Sequence, residues 1–107
     1  MRDGIQAPAL EIPFLDRFEK ALRDGTKTST ARNKRYGHPG DRFTAFGMRF
    51  EITATRWMTL SDVANELWRE EGVSSPLEFK EVWAQLHPRY GYKGHRHVWV
   101  HRFRRLP

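Results

Sequence analysis

Six consecutive residues, Lys27-Thr28-Ser29-Thr30-Ala31-Arg32, carry a primary amine, three hydroxyls and a guanidinium, and Asn33, Lys34 and Arg35 continue the polarity. Such a run is a poor way to fill a core and a good way to build a site for an anion or an amide. Arginine offers a fixed fork of donors to a phosphate or a carbonyl edge. Lysine carries charge in water and acts as a base where burial lowers its pKa. A threonine hydroxyl beside such a lysine is a candidate nucleophile. Strand geometry constrains the idea: in a strict strand Thr28, Thr30 and Arg32 share one face and Lys27 lies on the other. Lys27 and Thr30 meet only if the chain turns near Thr28; otherwise the segment is a solvated loop leading into an edge strand.

Two further groups of residues have chemical potential. His95 and His97 share a face if the chain is extended, with His101 further along it. Three imidazoles can hold zinc, but no carboxylate lies nearby in sequence to orient them, so no metal is expected there. Partial exposure, or contact with a polyanion, is the other reading. Tyr36, Tyr90 and Tyr92 sit among basic residues, an arrangement that suits stacking of unpaired bases and equally suits loop anchoring. Trp57, Trp68, Trp83 and Trp99 fall on apolar stripes and are assigned to the core.

The scaffold that must position these groups is small. The chain has 107 residues, enough for one domain with one modest core. Met1 to Ile12 reads as a loose arm and residues 13–107 as the domain. There is no cysteine, which excludes disulfides, thiolate catalysis and zinc-thiolate sites. No apolar run approaches the ~18 residues of a membrane span, and the N-terminus lacks a signal-peptide core. A soluble, cytoplasmic, monomeric protein is expected, with no membrane partner and no cofactor. The formal net charge is +6. After Glu81 there is no acidic residue, while Arg89, Lys93, Arg96, Arg102, Arg104 and Arg105 follow. Clustered basic charge favours a polyanionic partner.

Pro13 suits the first turn of a helix; Phe14, Leu15, Phe18, Ala21 and Leu22 follow at helical spacing, and Gly25 is placed to end it. Tyr36 to Asp41 reads as a turn. Two strands follow, Arg42 to Phe46 and Arg49 to Trp57, joined at Gly47. Phe50, Ile52 and Ala54 alternate with polar residues, giving the second strand a wet face. Thr59 and Asp62 form a capping-box variant for a second helix, whose stripe is Val63, Ala64, Leu67 and Trp68 and which ends at Gly72. Ser75-Pro76-Leu77-Glu78 is a stronger start signal for a third helix that Pro88 stops. His97 to Phe103 is a closing strand. Helices inserted in a mainly antiparallel sheet make the class α+β, with so short a sheet curling into a small open barrel.

The pattern Gly25-x-Lys27-x-x-Thr30-x-Arg32 after an N-terminal helix resembles the ASCH family of the PUA-like superfamily. Further segments extend the likeness: Pro39-Gly40-Asp41 before a strand, Ile52 to Trp57, Leu60-Ser61-Asp62, Glu70-Glu71-Gly72 with Ser75, Leu86-His87-Pro88, and Val98 to Phe103. This covers roughly Phe14 to Phe103. The resemblance implies a small PUA-like β-barrel with about three helices around it and a cleft at the Lys/Thr/Arg segment that takes RNA or a nucleotide. One branch of small bacterial members hydrolyses N4-acetylcytidine, with a Lys and a Thr of the motif and a Glu before the last helix as catalytic residues. The matching positions are Lys27, Thr30 and Glu71, and Arg32 matches the terminal Arg. A one-residue slip would exchange Glu71 for Glu70. Ser29 and Ala31 stand where that branch has larger aliphatics.

The leading expectation is therefore an ASCH domain that binds RNA or a modified nucleoside in a Lys/Thr/Arg cleft, with Lys34, Arg35, Tyr90 and Tyr92 as added ligand contacts. The alternatives are an N4-acetylcytidine amidohydrolase, a ribonuclease-like activity on single-stranded RNA, and a regulatory module without chemistry.

Overall fold

The computed structural model describes residues 10–107. The elements run β1 (Leu10–Glu11), a 3-10 turn (Asp16–Phe18), α1 (Glu19–Asp24), β2 (Ser29–Arg32), β3 (Arg42–Ala45), β4 (Met48–Thr59), α2 (Leu60–Glu66), α3 (Pro76–Leu86) and β5 (His97–Arg105). The fold is α+β: five strands in the order β1-β3-β4-β5-β2 form one curled half-barrel sheet, and three helices accompany it. Among the described residues only the β1–β3 pair is parallel.

The capping signals act where their chemistry places them. The Thr59 hydroxyl accepts from the Asp62 N–H and the Ser75 hydroxyl from the Glu78 N–H, starting α2 and α3. Each satisfies one of the amide donors that a helix start leaves without a partner. Gly25 ends α1 in the left-handed conformation, with φ 84. A two-residue turn, Phe46-Gly47, joins β3 to β4 with both φ values positive, the hairpin geometry that matches strand twist.

The core is aromatic where the sheet curls. Phe43 stacks on Phe50 at 5.2 Å between centroids, and Phe103 meets both edge-on at 5.3 Å. Opposite-face residues of β4 and β5, Met58, Val98 and Val100, are equally buried, and α2 packs against both strands.

Four expectations change. The loose arm is one: Met1 to Ala9 lie outside the described residues, but Leu10 and Glu11 pair with Phe43 and Thr44, and Ile12 is buried. A short parallel strand needs only a matching edge, which leaves no periodic trace in two residues. The β4 alternation is another. Phe50 and Ile52 are buried, but Ala54 is exposed. The register shifts between Ile52 and Ala54, so Thr53 is an extra residue on one strand. A bulge exchanges the faces of everything beyond it: Met58 leaves the face of Phe50 and Ile52 and is buried on the other beside Val98, while Trp57 joins the face of Ile52, Phe103 and Trp99. Trp57 is nevertheless 52% exposed, not core; Trp83 is buried, and Trp68 and Trp99 are partly so. Finally, α2 stops at Glu66, and turns carry the chain to Gly72.

Candidate active site

The turn after α2 and the start of β2 are stitched together by backbone. Thr28 N–H and Ser29 N–H both donate to the Glu70 carbonyl, at 2.8 and 3.0 Å. Strand β2 begins only at Ser29, so Lys27 is free of strand alternation and can approach the same space as Thr30. No turn forms at Thr28 itself; the two residues share the cavity because the strand starts after Lys27. Lys27, Thr30, Arg32 and Glu71 all line one cavity of about 570 Å³, together with Phe14, Phe18, Tyr36, Trp83 and His87.

Lys27 is 4% exposed. Its Nζ donates to the carbonyls of Ser29 (2.9 Å) and Glu71 (2.6 Å) and lies 4.5 Å from the Phe18 ring centroid. Burial disfavours the ammonium and lowers its pKa to about 8; the Glu71 carboxylate opposes this and Arg32 adds to it. The two carbonyls absorb two N–H groups in either protonation state. What remains is a lone pair when Lys27 is neutral and a third N–H when it is charged. One atom can thus serve first as proton acceptor and then as oxyanion donor.

Glu71 is 5% exposed. One carboxylate oxygen accepts from the Ser29 hydroxyl, and the other accepts from the Ala31 N–H at 3.1 Å. These bonds decide between the two adjacent acids. Glu70 points outward and pairs with Arg102 at 3.2 Å, while Glu71 reaches the cavity. They also give Ser29 a purpose: a larger aliphatic there would leave Glu71 without that donor. The Thr30 hydroxyl accepts from Arg32 Nε at 3.0 Å. The Arg32 guanidinium lies 5.0 Å from the Phe14 ring centroid and 5.8 Å from that of Tyr36, a geometry that holds a cation over aromatic faces.

Beneath Thr30, His101 is wholly buried. Its Nδ1 pairs with the Thr30 carbonyl (3.2 Å), and its Nε2 accepts the Tyr36 N–H (2.9 Å). An acceptor at Nε2 and a donor at Nδ1 define a neutral ring, and burial lowers its pKa accordingly. His101 therefore ties Tyr36, a cavity wall, to β2. His95 and His97 are exposed, and among the described residues no three His, Asp or Glu side chains are grouped as metal ligands.

The remaining expected contacts divide. Lys34 lines the cavity, its Nζ 4.7 Å from the Tyr36 centroid. Arg35 lies outside it, against His38 and over Trp99 at 5.0 Å. Tyr90 and Tyr92 are also outside: Tyr90 is exposed beyond α3, and Tyr92 packs partly buried against the core. Loop position relative to the sheet, invisible in composition, decides this. Phe14, Phe18 and Trp83 are cavity residues that the sequence assigns to apolar helix faces or core, and His87, placed only at a helix end, joins them. The signal of the three aromatics was present only as apolar periodicity, which does not distinguish a core from a cavity wall.

Gly72 sets the position of Lys27. Its φ is +88, and a Cβ there would sit 2.9 Å from the Lys27 Cβ and 3.2 Å from its Cγ and Cδ. Gly72→Ala is expected to cost about 2–3 kcal/mol, the left-handed penalty plus overpacking, and to displace Lys27. Gly25→Ala is the control, with φ +84 and open space around the added methyl; it costs only the backbone term, ~1–2 kcal/mol. Thermal melts of the two variants, with ligand affinity alongside, check the difference.

No family model and no curated protein matches the sequence of this chain. Among solved structures, the crystal structure of hypothetical protein PH0355 is similar, with a TM-score of 0.69 at 17% identity, covering 90% of this chain and 97% of that one. At that identity the likeness is one of fold. Among the described residues no helix is long and apolar enough to cross a membrane.

Proposed function

We propose that this protein is an ASCH-type nucleoside-binding domain whose cavity hydrolyses the N4-acyl amide of an acylated cytidine. The observation that carries the reading is the convergence of Lys27, Thr30 and Glu71, distant in sequence, on one aromatic-walled cavity. An opening of about 570 Å³ suits a small heterocyclic ligand. Its aromatic walls suit a flat ring, and the Arg32 fork suits a carbonyl edge.

In this mechanism Thr30 Oγ1 attacks the acetyl carbonyl carbon while neutral Lys27 takes the hydroxyl proton. The protonated Lys27 and Arg32 then face the oxyanion. The C–N bond breaks, and the cytosine amine leaves with the proton that Lys27 took from Thr30, relayed through Glu71, which returns Lys27 to its neutral form. Water then hydrolyses the acetyl-threonine ester, so that N4-acetylcytidine and water become cytidine and acetate.

The test is incubation of the protein with N4-acetylcytidine and chromatography for cytidine. Turnover that Thr30→Ala removes supports the reading. Absence of turnover by the wild type, or turnover that persists in Thr30→Ala, overturns it.

A further inference from the structure

The bulge in β4 sets Trp57 on the face of Trp99, where it stays exposed, and Trp57 is not alone. Its ring stacks on His97 at 5.3 Å and 20°, and contacts Trp99 at 5.1 Å. Arg35 lies over the other member of the row, 5.0 Å from the Trp99 ring centroid. Cross-strand register explains the alignment: Arg32 pairs with Trp99, and Trp99 with Trp57. Directly paired residues share a face. The strip therefore begins at Arg32, a wall of the cavity, and ends two strand spacings away, ~10 Å, at Trp57. Exposing a Trp at 52% costs apolar burial, and neighbouring rings that could cover it leave it open.

We propose that this strip is a stacking subsite for unpaired RNA, seating the bases that flank a nucleotide held in the cavity. Two observations select this occupant. The faces offered are aromatic rings and a guanidinium, which stack bases without regard to sequence. The surrounding charge is also uncompensated: among the described residues Arg32, Lys34 and Arg35 make no ion pair with a carboxylate. A protein partner reading an apolar patch gains nothing from three such cations, whereas a phosphate backbone neutralises them. The continuity of strip and cavity rests on the proposed reading of the cavity; the strip's own binding does not.

The experiment titrates an unmodified, unstructured RNA octamer against the protein by tryptophan fluorescence, at several salt concentrations. The expected result is quenching, with log affinity falling against log salt at a slope of about −2, as three phosphate contacts on a single strand predict. Trp57→Ala is expected to lose roughly tenfold in octamer affinity while N4-acetylcytidine turnover stays at the wild-type level. Trp57→Phe keeps a ring and retains most of the affinity. Equal octamer affinity in Trp57→Ala and wild type overturns the proposal. So does concentration-dependent self-association that Trp57→Ala abolishes, which would make a second copy of the chain the occupant. Failure of nucleoside turnover with octamer binding intact removes the hydrolase reading and leaves the strip standing.

Discussion

Lys27→Met is expected to abolish turnover of N4-acetylcytidine while leaving a folded protein of stability similar to the wild type at pH 7. The two halves have one cause. Burial holds the Lys27 pKa near 8, against an ordinary 10.5. At about 1.4 kcal/mol per unit, keeping the ammonium buried at pH 7 costs about 3 kcal/mol. Methionine fills the same volume without charge. It leaves the Ser29 and Glu71 carbonyls without their donor, at about 1–3 kcal/mol each, which offsets that gain.

Below pH 8 both folded and unfolded chains carry the proton. Between pH 8 and 10.5 the folded chain has lost it and the unfolded chain keeps it. Wild-type stability therefore rises with pH in that window, by up to about 1.4 kcal/mol per pH unit, and Lys27→Met lacks the rise. Melting curves of both proteins from pH 7 to 9.5 measure it; parallel curves would refute the buried ammonium. Activity follows the same titration with the same sign. About a tenth of Lys27 is neutral at pH 7 and nine-tenths at pH 9, so kcat/KM is expected to rise about tenfold across that range. A flat profile removes Lys27 from the role of base.

Glu71 gives the second large effect, and its two obvious variants separate chemistry from architecture. Glu71→Gln can keep both hydrogen bonds. Its carbonyl accepts the Ala31 N–H, and the Ser29 hydroxyl rotates to accept from its amide. This variant is expected to fold with little change in melting temperature and to lose roughly 100- to 10,000-fold in kcat, the usual worth of a general acid–base group. It also withdraws the negative charge that holds the Lys27 pKa up, so the rise of any residual activity with pH moves to lower pH. Glu71→Ala strands the Ser29 hydroxyl and the Ala31 amide inside the protein. At about 1–3 kcal/mol for each unpaired group, its melting temperature is expected to fall by about 10 °C or more. Equal kcat for Glu71→Gln and wild type would reduce Glu71 to a structural brace for β2.

The polar run from Lys27 to Arg32 was legible as a candidate site because nothing in a core requires those residue types together. The caps at Thr59 and Ser75, the ending of α1 at Gly25 and the hairpin at Gly47 were equally legible, since each is a contact between residues fewer than five apart. What those residues meet was not. Which of Glu70 and Glu71 turns inward depends on the Thr28 and Ser29 amides gripping the Glu70 carbonyl across more than forty residues of sequence. The face that Trp57 shares with Trp99 depends on one extra residue in β4, and an alternating pattern reads the same on either side of such a bulge until the strand is paired. His101 looked like a candidate ligand in a row of three, and its burial beneath Thr30 with both nitrogens occupied comes only from the β5–β2 register. Local chemistry, carried by propensity and hydrogen bonds within a turn, is written in the sequence. The lowered pKa of Lys27, the choice of Glu71 and the open aromatic strip arise from burial and register, which exist only once distant segments share one space.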